Sequence, residues 1–176
     1  MRLDSGGCGK GLAADAAARL MQAEGASRFV IDCGGDLRLE VADGAGPAWD
    51  VQVEHPLTGE PVHTLHVRSG GVATSGIGAR IWRTPEGGFA HHLLDPATGE
   101  PAWTGLIGAT AVGVTALEAE TLAKAALLSG PHAARRLLRT RGGVLFHDDG
   151  DVEVVGPARE RPRVRLTEHG LEQVAA

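Results

Sequence analysis

Between Lys10 and Glu24 the apolar positions recur at helical spacing. Leu12, Ala16 and Leu20 form one face with Ala13, Ala17 and Met21 beside them, so this face is expected inward and Asp15, Arg19 and Gln22 outward. Gly25 follows as a natural C-cap. The period then shortens to β-branched or alternating runs, predicting strands over 28–33, 36–41, 49–54, 64–68, 72–74 and 79–82, each closed by Gly, Pro, Asp or Ser. His91 to Leu94 leads into a turn at Pro96, and a further strand is expected over 109–115. Two helices, 117–128 and 132–139, and two strands, 143–147 and 152–155, complete the pattern. Strands and helices do not alternate as a parallel doubly wound sheet requires, so the expected fold is α+β, a mostly antiparallel sheet with flanking helices. Residues 1–158 read as one domain and 159–176, where Arg161, Arg163 and Arg165 sit among Pro and Glu, as a peripheral, partly mobile tail.

Composition narrows the function classes. The 17 Lys and Arg against 22 Asp and Glu give a net charge of -5, and aromatic residues are 3% with no Tyr. A nucleic-acid surface wants a basic stripe and stacking rings, so none is expected. No apolar run approaches the roughly 20 residues that span a bilayer, so no membrane insertion is expected. The polar, Gly-rich first residues show no cationic stretch leading into an apolar one, which sets a cytoplasmic address as the expectation. Cys8 and Cys33 lack CxxC spacing and read as ordinary thiols. The 26 glycines fall between periodic segments, which predicts many short elements and tight turns.

Several of these turns carry chemistry. Gly6, Gly7, Cys8, Gly9, Lys10 and Gly11 stand immediately before the first helix. Glycines allow close backbone approach to an anion, a helix start offers unpaired N–H groups, and Lys10 adds a full charge. The spacing is neither that of a P-loop nor a Rossmann fingerprint, and a plain structural turn fits the loop equally well. Gly34-Gly35-Asp36 reads either as a tight hairpin or as a closely approachable polar backbone, and Thr74-Ser75-Gly76 as a strand end with two hydroxyls. On a strand His91 and His92 point to opposite faces, so one can act as a proton carrier while the other is structural. Glu120 and Lys124 lie four apart on a helix face, where such a pair is often only a surface ion pair worth about 0.2–0.5 kcal/mol.

The order of these motifs is more specific than any one of them. Gly6 to Gly11 with Ala14-Asp15 behind it, Gly34-Gly35-Asp36, Ala73 to Gly76, His92-Leu93-Leu94-Asp95-Pro96-Ala97-Thr98-Gly99 and Ala119 to Lys124 together resemble the C-terminal portion of the ApbE family, the FAD:protein FMN transferases, from about Leu3 to about Gly150. The resemblance implies an enzyme that binds FAD and, with Mg²⁺, moves FMN to a Thr or Ser hydroxyl of a target protein with release of AMP. It implies that Gly6, Gly7, Cys8, Gly9, Lys10, Gly34, Gly35 and Asp36 line the FAD site, with Thr74, Ser75 and Gly76 against it. His92 would be the base for the attacking hydroxyl, Lys10 and Lys124 would carry charge in catalysis, and Asp95 and Thr98 would fix the turn beside it.

Two departures qualify that picture. Where the family carries an Asp and, four residues on, a Thr as metal ligands, this chain has Glu120 and Lys124. Glu120 is then the one candidate metal ligand, and either the metal is lost or its site is rebuilt, because an ammonium cannot ligate Mg²⁺ but can stand in for part of its charge. The family's N-terminal half also has no counterpart here, so a chain supplying the missing half is an expected partner beside FAD and the target protein. The alternative readings are a non-catalytic FAD-binding module and a truncated, inactive remnant.

Overall fold

The computed structural model describes residues 4–156 and the backbone of two further strands at 163–167 and 170–174. Helix α1 (Gly9–Ala23) is followed by β1 (Arg28–Asp32), β2 (Leu37–Val41), β3 (Trp49–Glu54), β4 (Pro61–Val67) and β5 (Gly70–Gly76). Then come β6 (Ile81–Arg83), β7 (Phe89–His91), β8 (Leu106–Gly113), helix α2 (Ala116–Leu138), β9 (Gly143–His147), β10 (Asp151–Val155), β11 (Arg163–Thr167) and β12 (Gly170–Val174). Eight strands form one sheet in the order β1-β2-β5-β8-β9-β10-β11-β12, every described pairing antiparallel. The hairpins β3-β4 and β6-β7 stand apart from it. The α+β, mostly antiparallel expectation therefore holds.

Three layers result. On one face α2 lays Ala123, Ala126, Leu127, Ala134 and Leu138 over Leu106, Ala109, Ala111, Leu145 and Val155. On the other, the β3-β4 hairpin presents Val53, Leu65 and Val67 to Val144, Phe146, Val152, Leu39 and Val72. Burying a Leu or Phe side chain is worth roughly 1.5–3 kcal/mol, so these two interfaces supply the bulk of the favourable term.

The inward face of α1 is the reverse of the expected one. Gly11, Ala14, Asp15 and Ala18 are buried, whereas Leu12, Leu20 and Met21 are 50%, 70% and 42% exposed. Close approach to α2 is the reason: a Cβ on Gly11 would sit 2.6 Å from the Ala116 carbonyl oxygen, leaving room on that side for small residues alone. Asp15, expected outward, accepts hydrogen bonds from the Ala116 and Leu117 amides at 2.9 and 3.0 Å and so satisfies two N–H groups at the start of α2. The Arg38 guanidinium, 3.6 Å away, neutralises it. Gly25 ends α1 as expected, at φ +83°, with the Ala26 and Gly25 amides bonded back to Met21 and Gln22.

Other boundaries shift. The two helices expected at 117–128 and 132–139 are both present as the two segments of α2, which part at the non-helical Gly130 (φ 75°, ψ 170°), where Pro131 removes a donor. The strand expected at 64–68 starts at Pro61, that at 72–74 runs from Gly70 to Gly76, that at 79–82 is β6 at Ile81–Arg83, and that at 109–115 runs from Leu106 to Gly113. Of the expected tail at 159–176, β11 pairs with β10 and β12 with β11; the remainder of that stretch lies outside the described residues.

Candidate active site

The site is built where the N-terminus of α1, the β1-β2 turn, the end of β5, the segment after β7 and the second turn of α2 converge. Gly34 and Gly35 both take positive φ (68° and 89°), as a two-residue hairpin turn requires, and the Asp32 carboxylate accepts the Gly35 N–H at 2.7 Å. That turn brings the Gly34 carbonyl within 2.9 Å of the Lys10 ammonium and Asp36 within 3.4 Å of it. From below, Glu120, 1% exposed, accepts the Gly11 N–H at 2.7 Å through Oε2 and the Lys124 ammonium at 2.8 Å through Oε1. Two carboxylates and two ammonium groups thus alternate across the floor of the site.

Above them lies a cavity of about 470 Å³. Ser5, Gly6, Gly9 and Lys10 line it from the first loop, Asp36 and Lys124 from the floor, and Thr74, Ser75 and Gly76 from β5. Ala79, Arg80, His92 and Leu93 close the far wall. Gly7, Cys8, Gly34, Gly35, Asp95, Thr98 and Glu120 do not line it. Asp95 and Thr98 hold the turn after His92, accepting the Ala97 and Glu100 amides at 2.8 and 3.2 Å. Glu120 lies behind Lys124, and Gly35 faces a second cavity of about 530 Å³ beneath the β3-β4 hairpin. Arg80, exposed at the mouth and without an ion-pair partner among the described residues, was not signalled by any spacing in the sequence.

The first loop offers fewer amides than a glycine run suggests. The Gly6 N–H goes to the Asp4 carboxylate at 2.7 Å, the Cys8 and Gly9 amides to the Ser5 carbonyl, and the Gly11 amide to Glu120. Positive charge for an anion therefore comes chiefly from the side chains of Lys10, Lys124 and Arg80, with the dipole of α1 behind them.

The two histidines separate as strand alternation demands. His91 is fully buried, edge-on to Trp103 at 4.6 Å, and its Nδ1 accepts the Leu93 N–H at 3.3 Å. Burial lowers its pKa, with the Ala102 carbonyl pulling weakly the other way, so it is a neutral structural ring. His92 is exposed and lines the cavity. Burial raises the pKa of Asp36 against the opposing pull of Lys10, and the charge of Glu120 raises it further.

These residues do not fit a divalent cation. Both oxygens of Glu120 already have donors, and Lys10 stands beside Asp36. Among the described residues no group of three or more His, Cys, Asp or Glu is placed to share a metal. An ammonium about 4 Å from a divalent ion repels it by roughly 8 kcal/mol at an effective dielectric constant of about 20, twice the figure for two unit charges.

Known proteins share this fold. The chain is 33% identical over 140 residues to the FAD:protein FMN transferase of Escherichia coli K12, covering 78% of this chain and 40% of that protein. It is 32% identical over 154 residues to the protein of the same name from Treponema pallidum, covering 82% and 42%. The chain thus spans about two-fifths of the length of these relatives. Among solved structures, the ApbE protein from Thermotoga maritima superposes with a TM-score of 0.77 at 26% identity, covering 88% of this chain and 51% of that one. The apo flavinyl transferase ApbE of Pseudomonas stutzeri, at 23% identity and a TM-score of 0.70, shares the fold. No helix among the described residues is long and apolar enough to cross a membrane. With the ApbE family model matching residues 1–146, and with fold and sequence relatives agreeing, the chain belongs to the ApbE family.

Proposed function

We propose that this chain carries the nucleotide-handling half of an FAD:protein FMN transferase. The observation that supports it is the convergence of Lys10, Lys124, Arg80, His92 and the end of β5 on one cavity, in a chain whose relatives bear that name. In this reading the pyrophosphate of FAD lies between the three cations at the α1 N-terminus, with Thr74 and Ser75 against it.

A Thr or Ser hydroxyl of the target protein attacks the phosphorus on the FMN side. A new phosphodiester P–O bond forms, the P–O bond to the bridging oxygen breaks, and AMP departs with the electron pair. His92 takes the hydroxyl proton, and Lys10 and Arg80 stabilise the charge that builds on the phosphoryl oxygens. Asp95 and Thr98 act on His92 by holding its turn. Because the chain spans about two-fifths of its curated relatives, a segment or second chain that completes the flavin site belongs to this reading.

Incubation with FAD, with and without a flavoprotein substrate bearing an acceptor Thr, followed by chromatography of the nucleotides, tests it. Release of AMP with covalent flavin on the acceptor is expected, reduced at least about 100-fold in His92→Ala, the lower end of what a positioned proton carrier contributes. Binding of FAD without AMP release would identify a binding module instead, and no binding would identify a remnant.

A further inference from the structure

Two acidic side chains are buried at the base of this cavity, Asp36 lining it and Glu120 behind Lys124; such carboxylates are the usual donors for a divalent cation, and here each is already held by an ammonium. Glu120 and Asp36 are 1% and 2% exposed, and Lys124 and Lys10 reach them at 2.8 and 3.4 Å. The arrangement is charge-balanced, minus two against plus two, as it would be with one divalent ion between two carboxylates. We infer that the Lys124 ammonium, fixed on Glu120, takes the place of that ion, so that this site handles a pyrophosphate without a metal. The inference rests on the FAD reading above for its substrate but on the floor geometry for its content.

Three features make Lys124 suited to the role. Its carboxylate partner is locked, because Glu120 Oε2 is tied to the Gly11 amide at the start of α1, so the ammonium is held at a fixed point. An ammonium has three donors; one goes to Glu120, leaving two for phosphoryl oxygens in the cavity that Lys124 lines. Its side chain is 20% exposed, so its charge is partly shielded from water and stronger for it. Asp36 Oδ2 is buried without a hydrogen bond, and the charge beside it is the Lys10 ammonium at 3.4 Å. A cation entering there would have to displace one ammonium and withstand the other.

Manganese titration followed by electron paramagnetic resonance, with and without FAD, reads this directly. The chain is expected to take up no Mn²⁺ beyond background in either case, and its FAD affinity is expected to change less than about twofold between EDTA and Mg²⁺. Lys124→Thr, which puts a neutral oxygen where the ammonium stood, is expected to lose at least about tenfold in FAD affinity in EDTA and to recover it with Mn²⁺ bound. Lys124→Arg, which keeps the charge, is expected to stay indifferent to EDTA and guards against a folding defect in the first variant. Stoichiometric Mn²⁺ uptake by the unaltered chain, or at least about tenfold weaker FAD binding in EDTA, would overturn the inference. Absence of AMP release under every condition would sink the transferase reading alone, since the Mn²⁺ titration reads the floor without turnover.

Discussion

Asp36 is the residue whose protonation the fold shifts in a direction opposite to its ordinary charge. Its pKa is raised above 3.8 by burial, so the folded chain holds a proton there that the unfolded chain releases. The associated stability is fully present below 3.8 and is lost as pH rises through the higher folded value. Asp36→Asn is therefore expected to flatten the fall in melting temperature across that range; an unchanged pH profile would show Asp36 to be unshifted. At the cavity mouth, Arg80→Ala is expected to weaken FAD binding about tenfold, the scale of one charge-assisted contact, measured by flavin fluorescence. Residues with a local signature were legible: His92 by its place beside an Asp-Pro turn, Lys10 by its glycines. Arg80 was not, since one arginine in a loop has no period, nor was Asp15, whose partners lie 101 and 102 positions away.

The elements were read well where period and punctuation agreed, and poorly where alanine dominated. α1 has small apolar residues on nearly every side, so its leucines weighed most in choosing a face. Packing chose differently, because the close approach of α2 at Gly11 turns the face of Gly11, Ala14, Asp15 and Ala18 inward. Two substitutions test that contact. Gly11→Ala pushes a methyl into the Ala116 carbonyl and is expected to cost about 2–3 kcal/mol, overpacking against backbone that cannot give. Asp15→Ala strips two amide bonds from the start of α2 and leaves Arg38 with one acidic partner fewer, for a loss of about 2–4 kcal/mol. For a chain of this size each kcal/mol lowers the melting temperature by roughly 2–4 °C, so calorimetry resolves both. The break at Gly130-Pro131 was legible as the gap between two helical segments, because Gly and Pro punctuate the sequence where helical hydrogen bonding stops.

Across the whole molecule, His55, His63 and His91 share one electrostatic fate: burial lowers all three below 6.5. A depressed histidine pKa gives stability that is present above 6.5 and lost as pH falls through the folded values, so acid unfolding is expected to begin in the mildly acidic range. His91→Phe, which keeps a ring against Trp103, is expected to shallow that pH slope in chemical denaturation, and an identical slope would remove His91 from the account.

The union of α1 and α2 also has a consequence in time. Asp15 ties the Ala116 and Leu117 amides to α1, and Glu120 ties the Gly11 amide to α2, so each helix start is closed by a side chain of the other. Neither end can fray alone. These three amides are expected to exchange their hydrogens with solvent deuterium at one common, slow rate, and the opening they report would release Lys10 and Lys124 together, making the floor of the cavity a single cooperative unit that is either wholly assembled or wholly absent.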